Sequence, residues 1–124
     1  MLESSELVAF VPVTDVDRAR AFYEGTLGLP IIDASPFALV ADANGTHVRI
    51  TPVGELQPQP FTVLGWRVDD IAASVDALTA AGVVFTRYDA VPQDERGIWT
   101  TPDGGQVAWF TDPDGNTLSL TQPA

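Results

Sequence analysis

Apolar and polar positions along the chain follow one plan twice. Leu7 to Val13 (LVAFVPV) is rich in branched and aromatic residues and predicts a strand. Thr62 to Val68 (TVLGWRV) is its counterpart. Each runs into a predicted helix with an acidic start. Asp15 precedes VDRARAFYEGTLG, and Asp69-Asp70 precedes IAASVDALTAAG. An aspartate there caps the helix, because its carboxylate accepts an orphan N–H and suits the positive end of the dipole. Apolar residues recur at helical spacing in both segments: Val16, Ala19, Tyr23 and Leu27 with Phe22 alongside, then Ile71, Val75, Leu78 and Ala81. Gly28 and Gly82 stand where a C-terminal glycine ends a helix. Arg18 and Arg20 beside Asp17 and Glu24 read as a solvated face.

Strands and hairpins complete each half. Phe37–Ala41 (FALVA) runs through Asp42-Ala-Asn-Gly45 into Thr46–Thr51, and Val107–Thr111 runs through Asp112-Pro-Asp-Gly115 into Asn116–Thr121. The two turns are expected to match in type, each a type I turn closed by a glycine bulge. Asp42 and Asp112 lie 70 positions apart, and Asp15 and Asp70 lie 55 apart. The chain is therefore an internal duplication of a β-α-β-β-β unit. Module one covers about 5–53 and module two about 61–122. The Pro-rich segment 54–60 (GELQPQP) links them within a single domain. The expected fold is α+β: two tandem modules forming a curved mixed sheet with helices on its convex side.

Alternation along the strands then assigns faces. Leu118, Leu120 and Trp66 are expected under the helices. Val8, Phe10, Phe37, Leu39, His47, Arg49 and Thr51 are expected on the concave face of the first module. Val63, Gly65, Arg67, Trp109, Thr111, Thr117, Ser119 and Thr121 take that place in the second. A one-residue slip in any strand reverses its assignments.

Composition narrows the chemistry. The 124 residues include 17 acidic groups, six basic ones, one histidine and no cysteine, for a formal charge of −11. Without cysteine there is no thiolate nucleophile, zinc finger or iron–sulfur site. The single His47 does not suffice for a two-His-one-carboxylate site. All six basic residues are arginine, which excludes a Schiff-base lysine. Such acidity repels nucleic acid and anionic lipid, and it makes a cation the easier guess for a charged ligand. No apolar run suits a membrane span and no signal-peptide pattern opens the chain, so a cytoplasmic protein is expected. There is no phosphate-binding glycine loop and no nucleophile elbow. No catalytic residue is assigned.

Three segments carry a family resemblance: Val13–Leu29 (VTDVDRARAFYEGTLGL), Trp66–Leu78 (WRVDDIAASVDAL) and Trp109–Leu120 (WFTDPDGNTLSL). Over nearly its whole length the chain resembles the vicinal oxygen chelate superfamily, the glyoxalase/bleomycin-resistance/dioxygenase proteins. The resemblance implies paired β-α-β-β-β modules, a homodimer and a binding cleft inside the curved sheet. It also implies ligands for a divalent metal on the first and last strands of each module. Those positions carry over to Val8, Arg49, Val63 and Ser119. Two valines, a guanidinium and a hydroxyl make a poor donor set. A shift of one residue offers only neighbours such as Glu6, Ala9, Val48 and Leu118.

The expected function is therefore metal-free and cofactor-free binding of an amphipathic or aromatic small molecule, in the manner of bleomycin-resistance proteins, with antibiotic sequestration as one form. The candidate ligand-binding residues are Phe10, Phe37, His47, Arg49, Arg67, Trp99, Trp109 and Ser119. The aromatics offer stacking surfaces, and the arginines either take a carboxylate or pair internally with an aspartate. Trp99 is placed on a rim beside a mobile segment, Pro92 to Gly97. The alternative is a divalent-metal-dependent lyase, isomerase or dioxygenase with unusual ligands.

Overall fold

The structure, a computed structural model, describes residues 1–124. It divides into two compact units, Met1–Gln57 and Pro58–Ala124. Each contains a strand, a helix and three further strands. In module one these are β1 (Val8–Val13), α1 (Val16–Arg20) with a π-helical continuation (Ala21–Thr26), β2 (Ile31–Ser35), β3 (Ala38–Ala43) and β4 (Thr46–Pro52). Module two has β5 (Thr62–Arg67), α2 (Ile71–Ala80), β6 (Trp99–Thr100), β7 (Gln106–Thr111) and β8 (Thr117–Gln122). Each unit forms its own four-stranded mixed sheet, in the order β1-β4-β3-β2 and β5-β8-β7-β6. The first and last strands of each unit run parallel, and the other pairs are antiparallel. This is the duplicated α+β plan that the sequence predicts.

The helix starts are built as their aspartates dictate. Asp15 accepts from the Arg18 N–H at 3.1 Å and Asp70 from the Ala73 N–H at 3.0 Å. After α2, Gly82 takes φ +100°, and its N–H and that of Val83 return to the carbonyls of Thr79 and Leu78. A residue with a Cβ is strained in that conformation. α1 departs from regular geometry. Its last turn widens, and the Leu27 N–H reaches the Phe22 carbonyl five residues back. Two adjacent aromatics in this turn, Phe22 and Tyr23, meet edge to face at 5.1 Å. Tyr23 is fully buried and Phe22 half-buried.

Each helix covers one sheet face. Under α1 lie Val11, Val13, Leu39, Ala41, Val48 and Ile50 with Ala19 and Tyr23, all buried. Under α2 lie Phe110, Leu118 and Leu120 with Ile71 and Val75. Trp66 stacks on Phe110 at 6.5 Å, on the helix side. Ala81, the last position of the predicted stripe, is exposed because it already forms the C-cap.

The two hairpins differ in type, contrary to expectation. In module two, Thr111 pairs with Thr117 across the five-residue Asp112–Asn116 loop. In module one, Ala43 pairs with Thr46 across only Asn44 and Gly45. Both residues have positive φ (52° and 95°), the geometry of a type I′ turn. The shorter loop shifts β3 by one residue against its counterpart β7. Leu39 therefore pairs with Ile50 on the helix side, whereas Val40 and Asp42 take the open face with Arg49 and His47. The expectation for Leu39 is reversed. Phe37 precedes the strand, in the β2–β3 turn, and is 79% exposed.

Candidate functional site

The open face of module two carries two cross-strand rows. The first runs Gly65, Ser119, Trp109 across β5, β8 and β7. The second runs Arg67, Thr121, Val107, Trp99 across all four strands. Trp99 and Trp109 belong to adjacent rows and stack, with centroids 6.1 Å apart and planes 20° from parallel. Tyr88 meets Trp109 edge-on at 5.3 Å and 90°. The three rings form a continuous aromatic shelf. An edge-to-face neighbour locks a ring because the positive ring edge meets a negative face.

A tightly bonded segment places Tyr88. The Thr86 N–H donates to the Trp109 carbonyl at 2.7 Å. Gln93 accepts from the Tyr88 N–H at 2.7 Å and donates to the carbonyls of Thr86 and Gly97. Asp94 Oδ1 accepts from the N–H groups of Arg96 and Ile98. Arg96 makes a two-point pair with Asp76 of α2. That pairing holds the Asp76 carboxyl below the usual aspartate range. The segment from Pro92 to Gly97, expected to be mobile, is thus bonded at both ends and in its middle. Tyr88 went unrecognised in the sequence because it follows a helix in irregular backbone, where neither the period of 2 nor that of 3.6 applies.

Gly65 keeps the centre of the face low. A Cβ on it would stand 2.8 Å from the Ser119 hydroxyl oxygen. Val63 falls in an irregularity of the β5–β8 register, between Thr62 and Leu64, and has no direct partner on β8. A surface hollow of about 480 Å³ adjoins the second row at Val107 and Thr121. The acid in it, Asp103, is held by the Thr101 hydroxyl and the Gly105 N–H, which lower its pKa.

The open face of module one also has rows. Phe10 pairs with Arg49, which pairs with Val40; Val8 pairs with His47, which pairs with Asp42. Phe10 is 62% exposed and His47 is exposed. Asp42 Oδ1 accepts the Gly45 N–H at 2.9 Å and so closes the turn.

The family's metal positions fail a chemical test. Val8 and Val63 offer no donor atom, and Arg49 brings a positive charge. Ser119 contributes one neutral hydroxyl. No three His, Cys, Asp or Glu side chains stand together to hold an ion. This donor set does not fit a divalent metal.

Comparison with known proteins agrees with the duplicated fold. A family model, the glyoxalase/bleomycin resistance protein/dioxygenase superfamily, matches residues 7–120. None of the curated proteins compared matches the chain. Among solved structures, the chain is similar to TnmS3, an antibiotic binding protein from Streptomyces sp. CB03234. Identity is 29% and the TM-score 0.76, over 100% of this chain and 99% of that one. A superfamily member from Sphaerobacter thermophilus DSM 20745 is 25% identical, with a TM-score of 0.74 over 98% and 99%. A lactoylglutathione lyase from Agrobacterium tumefaciens shares the fold at 18% identity, with a TM-score of 0.68 over 96% and 93%. With its two β-α-β-β-β units and a family match spanning nearly its whole length, the chain belongs to the glyoxalase/bleomycin resistance protein/dioxygenase superfamily.

Proposed function

We propose that the protein binds a planar aromatic small molecule, without a metal ion, on the open face of module two. The observation that carries this reading is the Trp99–Trp109 stack with Tyr88 edge-on to it. Three aromatic rings on the sheet face away from the helix do not serve the core under α2. They provide a flat apolar surface bordered by Ser119, Thr121 and Arg67. The similarity to an antibiotic binding protein over the full chain supports an antibiotic as the class of ligand. Sequestration needs affinity and no reacting group, which suits a face whose family metal positions, Val63 and Ser119, make a poor donor set.

Titration with neutral polycyclic aromatics, followed by tryptophan fluorescence, tests the reading. Saturable quenching is expected, weakened about tenfold or more by Trp109→Ala. Absence of quenching by any planar aromatic overturns it. Elemental analysis of untreated protein tests the rival enzyme reading. One equivalent of nickel, zinc, iron or manganese per chain, lost in His47→Ala, would replace binding by metal-dependent chemistry.

The reading includes a homodimer. Its support is the set of exposed large apolar side chains in module one, among them Leu7, Phe10 and Phe37. Sedimentation at several concentrations tests it, and a monomer throughout removes it.

A further inference from the structure

We infer that the ligand of the aromatic shelf is an acid: its ring lies on Trp99 and Trp109, and its anionic group is taken by the guanidinium of Arg67. This rests on the shelf being a ligand site and adds the ligand's charge.

The signal is an unspent cation in an acidic chain. Among six arginines and 17 acids, four arginines are engaged. Arg20 pairs with Glu24 at 3.1 Å and Arg96 with Asp76 at 2.9 Å. Arg18 donates to the Thr14 hydroxyl, and Arg87 to the carbonyls of Asp94 and Glu95. The side chains of Arg49 and Arg67 make no hydrogen bond and no ion pair. Both stand on open sheet faces, and Arg67 shares its row with Trp99. Asp69, two positions further along the chain, leaves Arg67 unpaired.

The geometry suits one ligand spanning both features. Strands lie about 4.8 Å apart, so the Arg67 backbone is roughly 10 Å from Val107 and roughly 14 Å from Trp99. A flexible arginine stem closes part of that gap, and two or three fused rings cover the rest. Thr121, between them, adds a hydroxyl at the exposed surface. Arginine offers a planar fork of donors that matches a carboxylate at two points. The overall charge of −11 does not oppose this, because exposed charges beyond a Debye length of about 8 Å are screened. A cationic ring would instead stand beside an unpaired guanidinium and be repelled.

Three probes of one shape decide the matter by isothermal titration calorimetry: anthracene-2-carboxylate, anthracene-2-carboxamide and 2-(aminomethyl)anthracene. The acid is expected to bind about tenfold tighter than the amide, the scale of one charge-assisted hydrogen bond, and the amine weakest. Arg67→Gln should bring the acid to the level of the amide. Arg67→Lys should restore part of the preference. Near-UV circular dichroism verifies that the variants remain folded. Equal binding of acid and amide, or a preference that survives Arg67→Gln, overturns the inference and leaves the shelf standing. Failure of all three probes to bind overturns the shelf itself.

Discussion

The Ser119 hydroxyl oxygen sits 2.8 Å from where a Cβ on Gly65 would be. The two residues are direct partners on β8 and β5, and Ser119 is 7% exposed. Gly65→Ala is therefore expected to destabilise by roughly 1 kcal/mol, since the hydroxyl must rotate within a packed site. In a Ser119→Ala background the same change should become neutral or stabilising, because alanine restricts the unfolded chain more than glycine does. Urea denaturation of the four proteins in the cycle measures the coupling. Purely additive effects would show that the contact carries no constraint.

The Trp99–Trp109 stack predicts a measurable coupling. Each tryptophan is half-buried, so a single alanine substitution removes both area and ring contact. The double-mutant cycle should leave about 0.5–1.5 kcal/mol of interaction free energy. A zero value would mean that the rings are neighbours without mutual support.

The Asp112 carboxylate organises the second hairpin. Its Oδ1 accepts from the N–H groups of Asp114 and Asn116, and its Oδ2 from the Asn116 side chain, all within 3.0 Å. Asp112 and Asn116 are both buried. Asp112→Ala strands several donors and should cost roughly 2–4 kcal/mol. Asp42→Ala, which removes the acceptor of the exposed Gly45 N–H, should cost about 1 kcal/mol or less. Thermal denaturation that ranks the two in the opposite order would contradict this account.

The Asp76–Arg96 pair predicts a pH dependence with a definite sign. Hydrogen bonding to Arg96 lowers the Asp76 pKa in the folded state from its ordinary 3.8. A depressed carboxyl contributes stability above its unfolded pKa and loses it as pH falls through the folded value. Carbon-detected NMR titration should show Asp76 titrating below that ordinary value. In Arg96→Gln it should return there. The pair is largely exposed, so the effect on melting temperature should be small and weaken with salt.

The sequence made the fold legible because each local signal agreed with the next. Asp15 and Asp70 mark helix starts, Gly28 and Gly82 mark ends, and the offsets of 55 and 70 reveal the repeat. Parity along β7 and β8 was legible for the same reason: the Asp112–Asn116 loop sets the register. It failed on β3, because the loop length after Asp42 cannot be read from turn composition alone. Both DANG and DPDG begin with aspartate and end with glycine, yet one closes with two residues and the other with five.

By itself, then, the sequence determined the duplicated α+β plan, the caps, and the poor donor set at Val8, Arg49, Val63 and Ser119. The plan and the caps follow from local periodicity and turn chemistry, whereas the donor set follows from the positions that the family resemblance implies and from the atoms those side chains carry. Only the tertiary structure decided that Tyr88 joins Trp99 and Trp109, and that Arg67 stays unpaired beside them. Both depend on pairing across strands and on the bonding of an irregular segment. Such contacts join residues distant in the chain and leave no period in it.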